Sequence, residues 1–165
     1  MPKYLLLIIV ALPCLLAQPE TGRPYIRNYL PDEYGATPQN WAITQDQLGV
    51  MYFGNTSGVL EYDGSTWRTI PLPNNHVVRS LASDDAGTIW VGGRDELGFL
   101  QADSSGRLGY VSLLGKLPAD LGKIGDVWRT HYHNGRILYF STLQLMIYTN
   151  EQLRVIKPQG SFMCL

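Results

Sequence analysis

Several residue groups in this sequence carry side chains capable of chemistry. His131-Tyr132-His133 puts two imidazoles on one face of a strand, because side chains alternate. Such a pair is half of a metal site, but no third ligand stands at useful spacing and both flank a turn, so no metal is expected. Arg94-Asp95-Glu96 offers neighbouring acids of the kind used in general acid–base work. Adjacent side chains point apart, so catalysis is not expected there, whereas Arg94 and Asp95 are candidate ligand-binding residues. Asn55 occupies the matching loop of the preceding segment and could hydrogen-bond a sugar hydroxyl. Trp41 and Trp128 could each stack on a sugar face, with packing as the competing role for both. Ser83–Trp90 follows the pattern S-x-D-x-G-x-x-W, in which Asp85 and Trp90 read as structural turn residues. The chemistry on offer is ligand binding, with no catalytic residue and no cofactor expected.

The composition supports that view. Thirteen Lys+Arg against 14 Asp+Glu leave a net charge of −1, which implies no basic face and argues against nucleic acid as a partner. Charged residues make up 16%, while 17 Gly, 10 Tyr and 4 Trp favour short strands joined by tight turns. At the N-terminus, Lys3 precedes the apolar run Tyr4–Leu16, and Ala17 is a small residue before Gln18. The run is shorter than the roughly 20 apolar residues of a membrane span. Residues 1–17 therefore read as a cleaved signal peptide of an exported protein, with an uncleaved anchor as the alternative. Pro13 before Cys14 argues against lipidation. The only other cysteine is Cys164, so the mature chain must hold together by packing rather than by an internal disulfide.

Three segments share one pattern: Trp41–Ile70, Val78–Leu113 and Gly125–Ile156. Their turn glycines Gly49, Gly87 and Gly135 recur at intervals of 38 and 48 residues, near the roughly 40–50 residues of a propeller blade. Each repeat reads as four strands. In the first these are Trp41–Gln45, Val50–Gly54, Val59–Tyr62 and Trp67–Ile70. The first turn of each clear repeat pairs an Asp with a Gly, Asp46 with Gly49 and then Asp84-Asp85 with Gly87. Gly54 and Gly92 end the second strand, and Asp63-Gly64 forms the third turn, with Trp67 after it in the core. The second strands are the most apolar (VMYFG, TIWVG, ILYFS), as expected for strands covered on both faces by neighbouring blades. Tyr25–Leu30 is a further strand candidate. The expected organisation is a signal peptide over 1–17, an N-terminal segment over 18–39 and a partial all-β propeller over 40–165, with blades about 40–71, 77–114 and 124–157.

Propellers close with about four to eight blades, which removes exposed sheet faces. Three blades leave the ring open, so this sequence reads as part of a longer propeller.

The motif D-x-x-G-x-x-[WY]-[FV]-G stands at Asp46–Gly54 and Asp84–Gly92, and G-[VL]-x-x-Y-D-G at Gly58–Gly64. These resemble the two-component regulator propeller repeat, over about residues 24–156 and most weakly in the third segment. The leader Pro24–Ile43 is similar to the segment after the signal peptide in such proteins of the Bacteroidetes. The resemblance implies the periplasmic sensor region of hybrid histidine kinases or related transcriptional regulators. It implies a small ligand, often a carbohydrate, and further blades and downstream signalling domains as partners. A fragment of a secreted glycosidase or lyase propeller, or of a structural interaction propeller, remains the alternative.

Overall fold

The structure, a computed structural model, describes residue 22 and residues 26–158. The expected signal peptide and Cys164 lie outside the described residues.

Among the described residues, twelve strands form three four-stranded antiparallel sheets, each a meander in chain order. The first sheet holds β1 (Asn40–Gln45), β2 (Met51–Asn55), β3 (Gly58–Tyr62) and β4 (Trp67–Ile70). The second holds β5 (Val78–Ser83), β6 (Ile89–Gly93), β7 (Glu96–Ala102) and β8 (Leu108–Ser112). The third holds β9 (Val127–His133), β10 (Arg136–Ser141), β11 (Leu145–Thr149) and β12 (Gln152–Ile156). Strands β1, β5 and β9 lie side by side as the innermost strands. This is a run of propeller blades, and the strands read from the first repeat fall within a residue of those observed.

Local chemistry explains the hairpins. Asp46 Oδ1 accepts the amides of Leu48 and Val50, both at 2.9 Å, while Oδ2 accepts the Tyr52 hydroxyl at 3.2 Å. Asp84 repeats the arrangement: Oδ1 accepts the Ala86 and Thr88 amides at 2.9 and 2.8 Å, and Oδ2 accepts the Trp90 indole N–H at 2.8 Å. The motif spacing thus has a geometric cause. One carboxylate caps the turn and tethers the aromatic side chain on the next strand. The structural acid of the second blade is therefore Asp84 rather than Asp85. Asp85 instead reaches sideways, its carboxylate accepting the Tyr132 hydroxyl of the third blade at 2.7 Å and its carbonyl accepting the Gln47 side-chain amide of the first. The third blade has no such Asp because its turn is only Asn134-Gly135, with φ of 47° and 73°, a two-residue hairpin turn that needs no cap.

Glycine at the end of the second strand is a packing requirement. A Cβ at Gly54 would stand 2.8 Å from Val78 Cγ1, and one at Gly92 would stand 2.5 Å from Ser80 Oγ and 2.6 Å from Val127 Cγ1. Val78 and Val127 belong to the innermost strand of the next blade, while Ser80 is the cross-strand partner of Gly92 in its own blade, so the missing side chain lets adjacent blades close on each other. The seam beside Gly92 is polar as well as tight: Ser80 Oγ donates to the Val127 carbonyl at 2.8 Å and lies 2.8 Å from Thr130 Oγ1.

Two apolar cores fill the two spaces between blades. Tyr52, Val59, Ile70, Val78, Leu81 and Val91 pack between the first and second. Trp90, Leu97, Val127, Ile137, Tyr139 and Met146 pack between the second and third. Only the middle blade's second strand, β6, is buried on both faces throughout. In β2 and β10 burial alternates, because each has a neighbouring blade on one side only, so Met51 and Phe53 are only partly buried. The outward face of the third blade presents Leu138, Phe140, Leu145, Ile147 and Ile156 half-buried.

The outward face of the first blade is covered by the chain before it. Residues 26–30 form no strand, contrary to the reading of 25–30 as one, and are held by side-chain packing instead. Tyr29 meets Trp67 edge-on at 5.2 Å, Tyr34 of α1 (Pro31–Tyr34) approaches it at 5.5 Å, and Tyr62 stacks on it at 4.4 Å. Trp67 therefore anchors this aromatic cover and is half-buried, rather than sitting in a core between blades.

Candidate functional site

Each innermost strand carries a β-bulge near its start, and each bulge leaves one side chain out of the ladder. In β1 the pairing skips from Asn40 to Ala42, leaving Trp41. In β5 it skips from Val78 to Ser80, leaving Arg79. In β9 it skips from Val127 to Arg129, leaving Trp128. A bulge re-aims the extra residue. Here the three re-aimed side chains converge. The Arg79 guanidinium lies 4.1 Å from the Trp41 ring centroid and 4.7 Å from that of Trp128, and the two indoles meet edge-to-face at 6.1 Å. Trp41 is 40% exposed and Trp128 38%, while Arg79 between them is 9% exposed. A desolvated cation–π contact contributes on the order of 2 kcal/mol, an exposed one about half that or less.

One carboxylate serves this cation. Asp126 Oδ2 stands 3.5 Å from Arg79 Nη2, and its Oδ1 accepts from Arg94 Nε at 3.4 Å. Both contacts are longer than the 2.7–2.9 Å of a strong charge-assisted bond. Arg79 Nε and Nη1 are buried with no acceptor, and an unmet buried donor costs about 1–3 kcal/mol. The cluster therefore sets two guanidiniums against one loosely held carboxylate, Asp126, beside two half-exposed indoles. It can offer a flat apolar surface and unsatisfied hydrogen-bond donors.

The loops that position these groups are clasped by backbone and side-chain bonds. Asp95 has φ 48°; its amide donates to the Gly125 carbonyl at 3.1 Å and its carboxylate accepts the Gly125 amide at 2.8 Å. Asp95 thus fixes the segment that presents Asp126 and is committed to that task rather than to a ligand. Arg94, next to it, is exposed and bridges in the backbone to Asp126. Glu96 is buried, accepting the Tyr110 hydroxyl at 3.0 Å and the Ser112 hydroxyl at 2.6 Å. Burial, reinforced by the Glu96 carboxylate, holds the Tyr110 phenol far above its ordinary pKa, so it is a fixed donor.

Asn55 differs from its expected role. It is fully buried: its amide donates to the Thr37 carbonyl at 2.7 Å and to Asn40 Oδ1 at 2.8 Å, and its oxygen accepts the Thr37 hydroxyl and the Ser57 amide, each at 2.8 Å. Its hydrogen bonds hold the chain entering β1, and no sugar hydroxyl can reach it. His131 packs edge-on against Phe140, His133 contacts Asn134, and no cluster of three metal-ligating side chains forms among the described residues. Of the five candidate binding residues, Trp41, Trp128 and Arg94 meet at one site, whereas Asn55 and Asp95 support the backbone. Arg79 and Asp126 escaped sequence reasoning. The signal was there for Arg79, which stands as far ahead of Gly87 as Trp41 does of Gly49.

Residues 71–95, which run into the second blade through β5 and β6, match the family described as two component regulator propeller. The sequence matches none of the curated proteins. Among solved structures, the chain is similar to the extracellular domain of BT4673 from B. thetaiotaomicron, described as a one component system. That match has 20% identity and a TM-score of 0.62 over 82% of this chain and 19% of that one. It is also similar to the extracellular domain of the hybrid two component system BT3049 from the same organism, at 19% identity and TM-score 0.58, over 81% of this chain and 17% of that one. Virginiamycin B lyase from Staphylococcus aureus matches at 16% identity and TM-score 0.53, over 76% of this chain and 44% of that one. The chain thus spans about a fifth of the length of the two extracellular domains, and at these identities the likeness is one of fold.

Proposed function

We propose that this chain is part of an exported, non-catalytic sensor propeller that binds a small ligand, of carbohydrate type, at the mouth framed by Trp41, Arg79 and Trp128. The observation that carries the reading is the convergence of the three bulge residues. Three blades devote the same irregular position to one cluster and leave two indoles half-exposed there. Sugars present flat C–H faces that stack on such indoles, with hydroxyls left for neighbouring donors. The two-component regulator repeat at residues 71–95 supports a sensory role. The same resemblance supports a periplasmic location, with further blades and signalling domains as the partners that would pass on the signal. A lyase with this fold shows that propellers also host enzymes. The acids around the mouth favour binding instead, since Asp126 faces Arg79 and Arg94, Asp95 is committed to the Gly125 backbone and Glu96 to Tyr110 and Ser112.

A glycan-array screen of the complete propeller tests the reading, with hits confirmed by calorimetry. The expected result is retention of a defined glycan class that is lost on Trp41→Ala or Trp128→Ala. An array with no hits, or binding indifferent to both substitutions, would overturn it.

A further inference from the structure

We infer that the ligand of this mouth is an acidic saccharide whose carboxylate is read by Arg79 and Arg94; the inference rests on the carbohydrate reading above and deepens it. Four observations lead there. Arg79 is nine-tenths buried between the two indoles that frame the site. Its Nε and Nη1 donors have no acceptor within the protein. The neighbouring Arg94 is exposed and held only by a long, 3.4 Å contact to Asp126. Finally, among the described residues the one anion serving both, Asp126, stands at 3.5 and 3.4 Å and saturates neither.

The resident carboxylate of Asp126 also indicates which anion suits the pair. A planar carboxylate matches the edge of a guanidinium, and two parallel N–H donors can engage it. An incoming uronic acid would place its carboxylate between Arg79 and Arg94 and its ring against an indole. It would satisfy the unmet Arg79 donors. Those donors now lie beneath the aromatic rings, so one half-exposed indole must swing aside to admit the acid. Binding should therefore register in tryptophan fluorescence. A neutral sugar could use the indoles but would leave the Arg79 donors unmet.

The test uses matched disaccharides, cellobiouronic acid against cellobiose and digalacturonic acid against galactobiose, titrated by tryptophan fluorescence and calorimetry. At least one acid should bind about tenfold or more tightly than its neutral counterpart, and added salt should narrow the gap. Arg79→Lys should weaken acid binding about tenfold, because an ammonium lacks the planar fork. Arg94→Gln, which removes only an exposed and long ion pair, should weaken it several-fold with little change in melting temperature. Equal binding of acid and neutral sugars would overturn the inference while leaving the carbohydrate reading intact. Binding of neither would overturn both. Acid binding unaltered by both substitutions would place the acid elsewhere and overturn the inference.

Discussion

The Asp84 carboxylate accepts the Trp90 indole N–H at 2.8 Å from across the hairpin that the same carboxylate caps. Asp46 and Tyr52 stand in the same relationship one blade earlier. A single acid therefore joins turn geometry to the orientation of an aromatic side chain that enters the core between blades. The recurring interval between acid and aromatic follows from the hairpin bringing those two positions together.

Replacing Asp84 with Ala should destabilise the fold by about 2–3 kcal/mol, since two turn amides and a largely buried indole N–H lose their acceptor. Replacing Asp85 with Ala should cost less than about 1 kcal/mol, because only a solvent-exposed bond to Tyr132 is lost. Urea unfolding of the two variants side by side measures the difference, and equal losses would contradict the assignment of Asp84 as the structural acid.

Gly92→Ala should be among the costlier single changes. Its Cβ would lie 2.5 Å from Ser80 Oγ, 2.6 Å from Val127 Cγ1 and 2.8 Å from Thr130 Oγ1. Forcing the second and third blades apart should cost about 1–3 kcal/mol. Gly109→Ala is the control, because nothing lies within 4 Å of its added Cβ, and its melting temperature should stay level or rise slightly.

Asn55→Ala should lower stability by about 1–3 kcal/mol, because the buried side chain that bonds Thr37, Asn40 and Ser57 is lost. Proteolysis should then open the chain ahead of β1 before it reaches the blades. Unchanged protection of residues 36–40 in hydrogen exchange would refute this role.

Acid sensitivity should trace in part to the outer turns. The Thr66 and Ser65 donors hold the Asp63 carboxyl below its ordinary pKa, and the Ser105 hydroxyl with the Arg107 and Ser105 amides does the same for Asp103. Because the folded pKa values are depressed, this stabilisation is present above the ordinary Asp value of about 3.9 and is lost as pH falls through the folded values. Melting temperature should thus be insensitive to these two groups between pH 5 and 7, on the order of the neutral range. It should fall below about pH 4. In the double variant D63N/D103N that fall should be shallower, which thermal melts at stepped pH would reveal.

The blades themselves were legible in the sequence because what defines them is local. Asp46, Gly49, Asp63 and Gly64 act within a few residues of themselves, and the apolar second strands stand out by composition, although only β6 is buried on both faces. Other features depended on contacts across blades. Asp84 and Asp85 are neighbours with interchangeable chemistry, and only the hairpin's fold-back shows which one meets Trp90. Asn55 and Asp95 read as exposed loop residues, yet each is drawn into bonds with the chain entering an innermost strand. The site is the clearest case. Trp41, Arg79 and Trp128 are tens of residues apart, and strict strand alternation would not predict their meeting. Bulges in β1, β5 and β9 turn them out of the ladder, and the lateral packing of the blades brings them together. Residue type and spacing were enough to determine a propeller with a tryptophan on each of two innermost strands. Only the tertiary structure placed an arginine between those tryptophans, because the bulge geometry and blade-to-blade distance that make the contact are properties of the assembled sheets.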